Sequence, residues 1–345
     1  MRLRARDSYS LRGIDSGAGR AFDAASATGL AFLTGQLEQI DPDPVLPLEA
    51  VTHMRDLDID YGGGFPEFVS AYAVDYRTVG TGSFGLQRND NTDMARVQAN
   101  VTKGLYETFI AAYNMEISFI DLEKLEFAKR TGQPIPMSLQ QMYEECAGIT
   151  FNKALDLVTY LGFNGFAGLI NNAAVAETVV LTGASGHTDW ARKTPQEILN
   201  DVIYLLNAIA SNAAYDSVNG LPNRLLVPWA QYGLLVNPFT LDGIGTFASI
   251  IEYIEKQVGK QYSIDFKIEK LPAPWIAGQG AGATDRAVMY RKDKKAVYLK
   301  VPQPLKKMGT FPQPIGAGAY VTTFAGCVAQ VIWKRTQTAI YGDGI

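Results

Sequence analysis

SLQQMYEECAGITFNKALDLVTYLG, residues 138–162, decides the fold. Ser138 and Gln141 make an S-x-x-Q capping box, in which each side chain satisfies a backbone donor that the first helical turn leaves unpaired. Leu139, Met142, Tyr143, Cys146, Ile149, Ala154, Leu157, Val158 and Leu161 then recur at helical spacing along one face. Gly162 stands where a left-handed residue closes a helix. The spacing predicts one helix over 138–161, a rod of about 35 Å at ~1.5 Å per residue. Phe151 and Leu155 fall off the stripe, so a second side of the rod is expected to be covered as well.

Upstream of that helix the pattern changes to strands. Residues 68–76, FVSAYAVDY, are aromatic and β-branched near period two, and residues 105–120, LYETFIAAYNMEISFI, have the same character. Between them, 77–102 includes TVGTGSFG and RNDNTD, with no regular apolar period. The whole predicts a long hairpin with a loose tip. A connection that long inside a compact domain is functional or is ordered by a partner.

Further upstream, residues 1–20 carry Arg2, Arg4, Arg6, Arg12 and Arg20 against Asp7 and Asp15, a basic arm rich in Gly and Ser. From 21 to 60 the sign reverses, with Asp56, Asp58 and Asp60 among eight acidic residues facing the single Arg55. DPDPVLP, 41–47, places three prolines in seven positions and forbids a helix interior. An extended arm lying on another surface is expected over 1–60.

Downstream, Thr194, Pro195 and Glu197 repeat a helix-start signal, followed by Ile198, Val202, Leu205, Leu206 and Ile209 as a buried face. Residues 224–227 read as a short buried strand, and 248–258 as a helix with Ile250, Ile251 and Ile254 inward and Gly259 at its end. SIDFKIEK, 263–270, alternates as a half-buried strand. Residues 287–291 and 296–301 read as a second hairpin around KDKK, and 320–333 as a long β-prone run. No repeat of 20–50 residues is present, which removes solenoids and propellers. The fold class is α+β.

The 345 residues, 47% hydrophobic and 19% charged, suffice to bury roughly 75% of the extended-chain surface without disulfide or metal staples. A net charge of -4 argues against a dedicated nucleic-acid binder. MRLRAR is followed by no apolar h-region and no uninterrupted apolar segment is long enough for a bilayer, so a cytosolic, membrane-free protein is expected. Cys146 and Cys327 are expected to be buried, reduced thiols.

Chemical motifs are sparse. Gly80, Gly82 and Gly85 spell G-x-G-x-x-G, but Asn89, Asp90, Asn91 and Asp93 follow where a dinucleotide site needs a helix N-terminus. Asp56, Asp58, Asp60 and Glu67 match the charged positions of an EF-hand, yet Tyr61 replaces the turn glycine, and an acidic solvated face is expected. Only His53 and His187 exist, which excludes a multi-histidine metal site. Ser185, His187 and Asp189 lie too close in sequence to converge as a triad, so GASGHTD reads as a turn. No cofactor is expected. The eight basic residues between Arg286 and Lys307 read either as a hairpin's solvent face or as an electrostatic seam with the acidic 21–60 segment of another copy.

The order of these elements resembles the major capsid protein of tailed bacteriophages with the Hong Kong 97-type fold, which encapsulin shells share. AFLTGQLEQIDP (31–42), ISFIDLEKLEFAKRTG (117–132), LGFNGFAGLIN (161–171), KTPQEILNDV (193–202) and AIYGDGI (339–345) are similar to that family. The resemblance implies an N-terminal arm over 1–60, a first part of the P-domain over 61–164, an A-domain over 165–272 and a return to the P-domain over 273–345. Within the first part it implies an extended E-loop over about 76–103, with Tyr76, Arg77, Phe84, Leu86 and Arg88 meeting a neighbouring subunit. It makes 138–161 the spine helix, with Ser138, Gln141, Met142, Cys146 and Leu157 on it. Some members weld subunits through an E-loop lysine, but 77–102 contains none, so non-covalent assembly is expected. The implied function is a non-enzymatic shell of hexamers and pentamers enclosing double-stranded DNA. Portal, scaffold and decoration proteins are the implied further partners, with assembly in the host cytoplasm. An encapsulin-like cargo compartment and a soluble α+β enzyme are the alternatives.

Overall fold

The computed structural model describes residues 51–78, 97–130, 139–212, 220–237, 239–241, 245–247, 249–312 and 318–345. In chain order the first elements are α1 (His53–Asp56), β1 (Asp58–Tyr61), β2 (Phe68–Thr78), β3 (Val97–Ser118), α2 (Phe119–Arg130) and α3 (Leu139–Tyr160). The middle of the chain forms β4 (Ala176–Val179), α4 (Pro195–Asn212), β5 (Arg224–Pro228), α5 (Trp229–Val236), β6 (Phe239–Leu241), β7 (Gly245–Phe247), α6 (Ile250–Tyr262) and β8 (Lys267–Leu271). The last elements are α7 (Ala273–Ile276), β9 (Arg286–Tyr290), β10 (Val297–Val301), β11 (Gln303–Pro312), β12 (Ala319–Ala329), β13 (Val331–Trp333) and β14 (Ala339–Asp343). The chain divides into a large unit, Glu49–Ile117 with Tyr143–Ile345, and a small one to which Ser118–Met142 belongs. No helix among the described residues is long and apolar enough to cross a membrane.

The large unit is organised on a five-stranded sheet of order β4-β14-β9-β5-β8. β4 runs parallel to β14 and β5 to β8, while β9 is antiparallel to both of its neighbours. Successive residues face opposite sides of a strand, and along β14, β9 and β5 both sides are covered. Leu225, Val227, Ala287, Met289 and Ile340 pack with α4 and α6 in one core. Leu226, Val288, Tyr290 and Tyr341 pack on the other side with Phe151, Leu155 and Tyr160 of α3. A three-stranded sheet, β1-β10-β13, supplies Leu299 and Val331 to that second core.

The capping signal at Thr194 is realised. Its backbone N–H donates to Glu197 Oε2 at 2.7 Å, and Ile198, Val202, Leu205, Leu206 and Ile209 are all buried. The Glu197 carboxyl is held below the usual range by the N–H groups of Ala184 and Thr194. α6 starts at the cap Ser249, which accepts from Glu252 N, with Ile250, Ile254 and Val258 buried. It runs past Gly259 to Tyr262 and ends on Ser263 in the left-handed region, so Gly259 is not its stop. The strand expected over 263–270 begins only at Lys267, with Phe266 and Ile268 buried as its spacing predicts.

Two expectations are corrected. Residues 287–291 and 296–301 do not form a hairpin: β9 pairs with β14 and β5, whereas β10 pairs with β1 and β13. Each strand is buried along nearly its whole length, a demand that a two-stranded ribbon cannot meet. The run 320–333 likewise divides into β12 and β13, which serve different sheets.

The spine helix exists over Leu139–Tyr160, but the large unit covers the side that sequence spacing treats as secondary. Phe151, Leu155, Asp156, Thr159 and Tyr160 are buried, whereas Met142, Tyr143 and Leu157 are exposed. Cys146 is exposed too, and only Cys327 is buried, where burial raises its thiol pKa. After Gly162 (φ +79°) the chain doubles back so closely that a Cβ there would lie 1.8 Å from Phe166 O, and one at Gly168 2.3 Å from Tyr160 O. Asn171 pins the return, accepting from Gly168 N at 2.7 Å and donating to Leu161 O at 2.8 Å.

In the small unit, Ser118 Oγ accepts from Ile120 N at 3.2 Å and so caps α2. This helix starts at Phe119, inside the run 105–120 whose composition is β-like.

Candidate assembly surfaces

β2 and β3 pair in unbroken antiparallel register from Phe68↔Glu107 to Thr78↔Val97, the long hairpin that the sequence predicts. They continue a four-stranded sheet of order β11-β12-β3-β2. Inward along β3 lie Gly104, Tyr106 and Thr108 and then Ala111, Tyr113, Met115 and Ile117, so the inward set switches from even to odd positions near Thr108. That is the slip a bulge produces. Beside it, Thr108 N donates to Glu67 O at 3.2 Å.

The outward face is apolar and uncovered. Val101, Leu105 and Ile110 are 64%, 65% and 65% exposed, and Phe68 and Tyr72 of β2 and Met308 and Phe311 of β11 are also exposed. Lys103 Nζ lies 5.9 Å from the centre of the Tyr72 ring. Large apolar side chains exposed in this number, set among Lys103, Glu107 and Ser70 on the same face, suit an interaction site with a polar admixture.

Polar groups that sequence patterning misses tie α1 to α3 and β9. Asp156 of α3, buried, lies 2.6 Å from His53 Nδ1 and accepts from His53 N at 2.9 Å. Tyr160 donates to Asp56 Oδ2 at 2.5 Å, and Tyr290 donates to the Asp56 carbonyl at 2.5 Å. Burial first, and then the Asp56 charge, push the Tyr160 hydroxyl far above the usual range. Arg55 Nε donates to Asp56 Oδ1 at 2.7 Å. Residues 52–61 are therefore part of the subunit's own body, and the extended arm does not continue to residue 60. A signal for this was present: Asp156 and Tyr160 lie on the same side of the helix as Phe151 and Leu155.

Of the acidic run, Asp56 is buried, Asp58 and Asp60 are ion-paired while part-exposed, and Glu67 is exposed. Lys300 Nζ donates to Asp60 Oδ2 at 2.5 Å, Lys294 lies 3.8 Å from Asp60, and Lys292 lies 3.9 Å from Asp58. For Asp58 and Asp60 the contact with the basic cluster forms within one chain, and the acidic residues from Asp23 to Glu49 lie outside the described residues. The Lys300 hydrogen bond holds the Asp60 carboxyl below its ordinary value.

Two further buried knots stiffen the five-stranded sheet. Arg286 grips Asp343 through two nitrogens at 2.6 and 2.9 Å and also donates to Ile170 O and Glu177. Burial opposes its charge, yet Asp343 and Glu177 raise its pKa. Asp201 accepts from Lys193, Trp190 Nε1 and Leu181 N at 2.5, 2.9 and 3.1 Å. Its pKa is raised because burial outweighs these bonds.

Of the residues expected at a subunit boundary, Tyr76 and Arg77 lie on β2 opposite Ala99 and Gln98. Phe84, Leu86 and Arg88 lie outside the described residues, as does Ser138. Gln141, Met142, Cys146 and Leu157 are all exposed on α3. Among the described residues no cluster of His, Cys, Asp or Glu is placed to hold a metal ion. GASGHTD is a turn, as expected, with Gly186 N donating to Gly183 O.

A family model described as major capsid protein matches residues 82–345. The capsid of the Myoviridae phage XM1 has a similar structure, with a TM-score of 0.67 at 14% identity over 90% of this chain and 97% of that one. A Microbacterium phage Oxtober96 structure gives 0.58 at 11%, covering 91% and 97%, and a gene transfer agent capsid gives 0.52 at 11%, covering 89% and 94%. A search of curated proteins finds no match. The architecture is the Hong Kong 97-like fold that the order of elements implied, and at these identities the solved structures speak for the fold alone. With the family model spanning well over half of its length, the chain belongs to the major capsid protein family, whose members are shell-forming structural proteins rather than enzymes.

Proposed function

We propose that the chain is the head-shell subunit of a tailed double-stranded-DNA bacteriophage, forming hexamers and pentamers of an icosahedral shell. The observation that carries this reading is the uncovered apolar face of the β2/β3 hairpin. A subunit whose two cores are closed on themselves still presents Val101, Leu105 and Ile110 to solvent, a surface suited to identical neighbours. The enclosed DNA is held without sequence readout, consistent with a net charge of -4 and no dominant cationic excess. Residues 76–103 act as the E-loop, α3 as the spine of a P-domain formed from 61–164 and 273–345, and 165–272 as the A-domain. Assembly is non-covalent: 77–102 offers no lysine, and Lys103, at the end of the loop, sits over the Tyr72 ring of its own hairpin. The shell forms in the host cytoplasm and becomes part of the virion, with portal, scaffold and decoration proteins as further partners.

The purified chain, followed by light scattering and negative-stain microscopy, is expected to give closed megadalton particles or capsomers. Particles recovered from infected cells are expected to contain DNA. A strictly monomeric chain at high concentration overturns the reading, and a protein cargo in place of DNA turns it into an encapsulin-like compartment.

A further inference from the structure

Two turns meet at one end of the three-stranded sheet, 291–296 before β10 and 334–336 after β13. Ala296 O accepts from both Lys334 N and Arg335 N, at 2.9 and 3.2 Å, so the two turns are pinned side by side. The first is tight: Ala296 N and Val297 N donate to Asp293 O at 2.8 and 3.0 Å, and Lys295 N donates to Asp293 Oδ1 at 2.9 Å. Lys294 and Lys295 are thereby set beside Lys334 and Arg335, and all four are exposed. The charge of this corner is not neutralised locally. Arg291, Lys292 and Lys300 bring the cations to seven, against the three carboxylates Asp58, Asp60 and Asp293. Those three are already engaged: Asp60 by Lys300 at 2.5 Å, Asp58 by Lys292 at 3.9 Å and Asp293 by Arg291 at 3.6 Å. Lys294 reaches Asp60 only at 3.8 Å, and Lys334 lies over the Tyr298 ring at 4.7 Å. Among the described residues, Lys295 and Lys334 form no ion pair. In a chain of net charge -4 this corner is a local reversal of sign.

We infer that this corner is a phosphate-contact site, through which the subunit touches duplex DNA without reading its sequence. The inference rests on the shell-subunit reading and specifies where that subunit meets what it encloses. Clustered cations on two pinned turns suit a polymer that carries one negative charge per ~1.7 Å of its axis. Three of the four exposed groups are lysines, whose ammonium heads act as point charges, and this favours backbone contact over base readout. The chain's own acidic stretch fits less well. Asp23, Glu38, Asp41, Asp43 and Glu49 are spread over 23–49, and only Asp41 and Asp43 stand close enough in sequence to face two neighbouring cations at once.

The test uses the dissociated full-length subunit and a short DNA duplex of arbitrary sequence, with binding read by fluorescence anisotropy over a range of salt. Lys295→Gln combined with Lys334→Gln removes two charges that hold no ion pair, so urea unfolding should match that of the unmodified chain. Lys256→Gln combined with Lys260→Gln removes the same charge from α6 as a control. Each phosphate contact contributes about -0.9 to the slope of log K against log salt. The corner variant is therefore expected to flatten that slope by about 2 and to lose at least tenfold in affinity at low salt, while the control keeps both. A corner variant that binds duplex like the control overturns the inference. So does a synthetic 21–49 peptide that binds the unmodified chain but not the corner variant while duplex binds both alike, which assigns the corner to the acidic stretch. Loss of particle formation in the corner variant with unchanged duplex binding also overturns it, making the corner a contact between copies. The shell reading fails separately, because binding is measured on the dissociated subunit: a chain that holds duplex through this corner and never assembles keeps the site and loses the shell.

Discussion

Leu225, Leu226 and Val227 are consecutive on β5 and all fully buried, because the five-stranded sheet has a core on each side. Leu105 and Ile110, equally apolar, stand on β3 with about two thirds of their surface in solvent. The middle of the first sheet is finished within one chain: Arg286–Asp343 is a buried ion pair, and β14, β9 and most of β5 are buried. The second is unfinished. The contrast separates the part of the molecule that makes a stable subunit from the part that presents surface to others, and mutations in the two regions should report on different quantities.

The largest effect on the subunit itself is expected at Arg286. Arg286→Met removes the partner of a buried Asp343 and leaves its carboxylate uncompensated, which costs about 3–5 kcal/mol. Urea unfolding of the dissociated subunit measures it. A loss below ~1 kcal/mol would show that the five-stranded sheet does not depend on the knot and would blur the distinction between the two regions.

The sequence made the finished sheet's supports legible where one mechanism dominated. The Thr194/Glu197 cap and the inward faces of α4 and α6 involve local hydrogen bonds and a single covered stripe, and Ile250 and Ile254 are buried as the spacing predicts. Legibility fails where an element serves two partners. α3 has apolar residues on two sides, and spacing cannot tell which side its own subunit covers: on the traced stripe Met142, Tyr143 and Leu157 are exposed, and only Val158 packs on the second core. β9 and β10, adjacent in sequence and both apolar, look like a hairpin because nothing local records that each completes a different sheet. The knot at His53 and Asp56 is hidden for another reason: its partners, Asp156, Tyr160 and Tyr290, lie more than 100 residues away. Along β3 the inward set changes parity near Thr108, which defeats a simple alternation count.

An intermediate effect is expected where the two kinds of region meet, at the β1/β10 seam. The Lys300 hydrogen bond depresses the Asp60 pKa, so its contribution is fully present above the unfolded carboxylate value of about 4. It is lost as pH falls through the lower folded value. Asp60→Asn should therefore remove part of the subunit's acid-side loss of stability. Because the Asp60 side chain is 40% exposed, solvent screening limits the effect to below ~1 kcal/mol, and added salt should shrink it further. A steeper acid limb in the variant than in the unmodified chain would contradict this sign.

The smallest expected change in subunit stability sharpens the comparison most. Leu105→Ser and Ile110→Ser alter exposed side chains on the unfinished sheet, and surface substitutions of this kind usually stay within about 0.5 kcal/mol. Burial of such a side chain against a neighbour, by contrast, is worth about 1.5–3 kcal/mol, and a shell repeats the loss at every copy. The variants should thus unfold in urea like the unmodified subunit while their critical concentration for assembly rises at least tenfold. If unfolding is weakened as much as assembly, these residues support their own subunit, and the hairpin belongs with the finished sheet. If neither changes, the outward face of β3 is not where copies meet, and the contact has to be sought on other exposed apolar surface such as the Met142 and Leu157 side of α3.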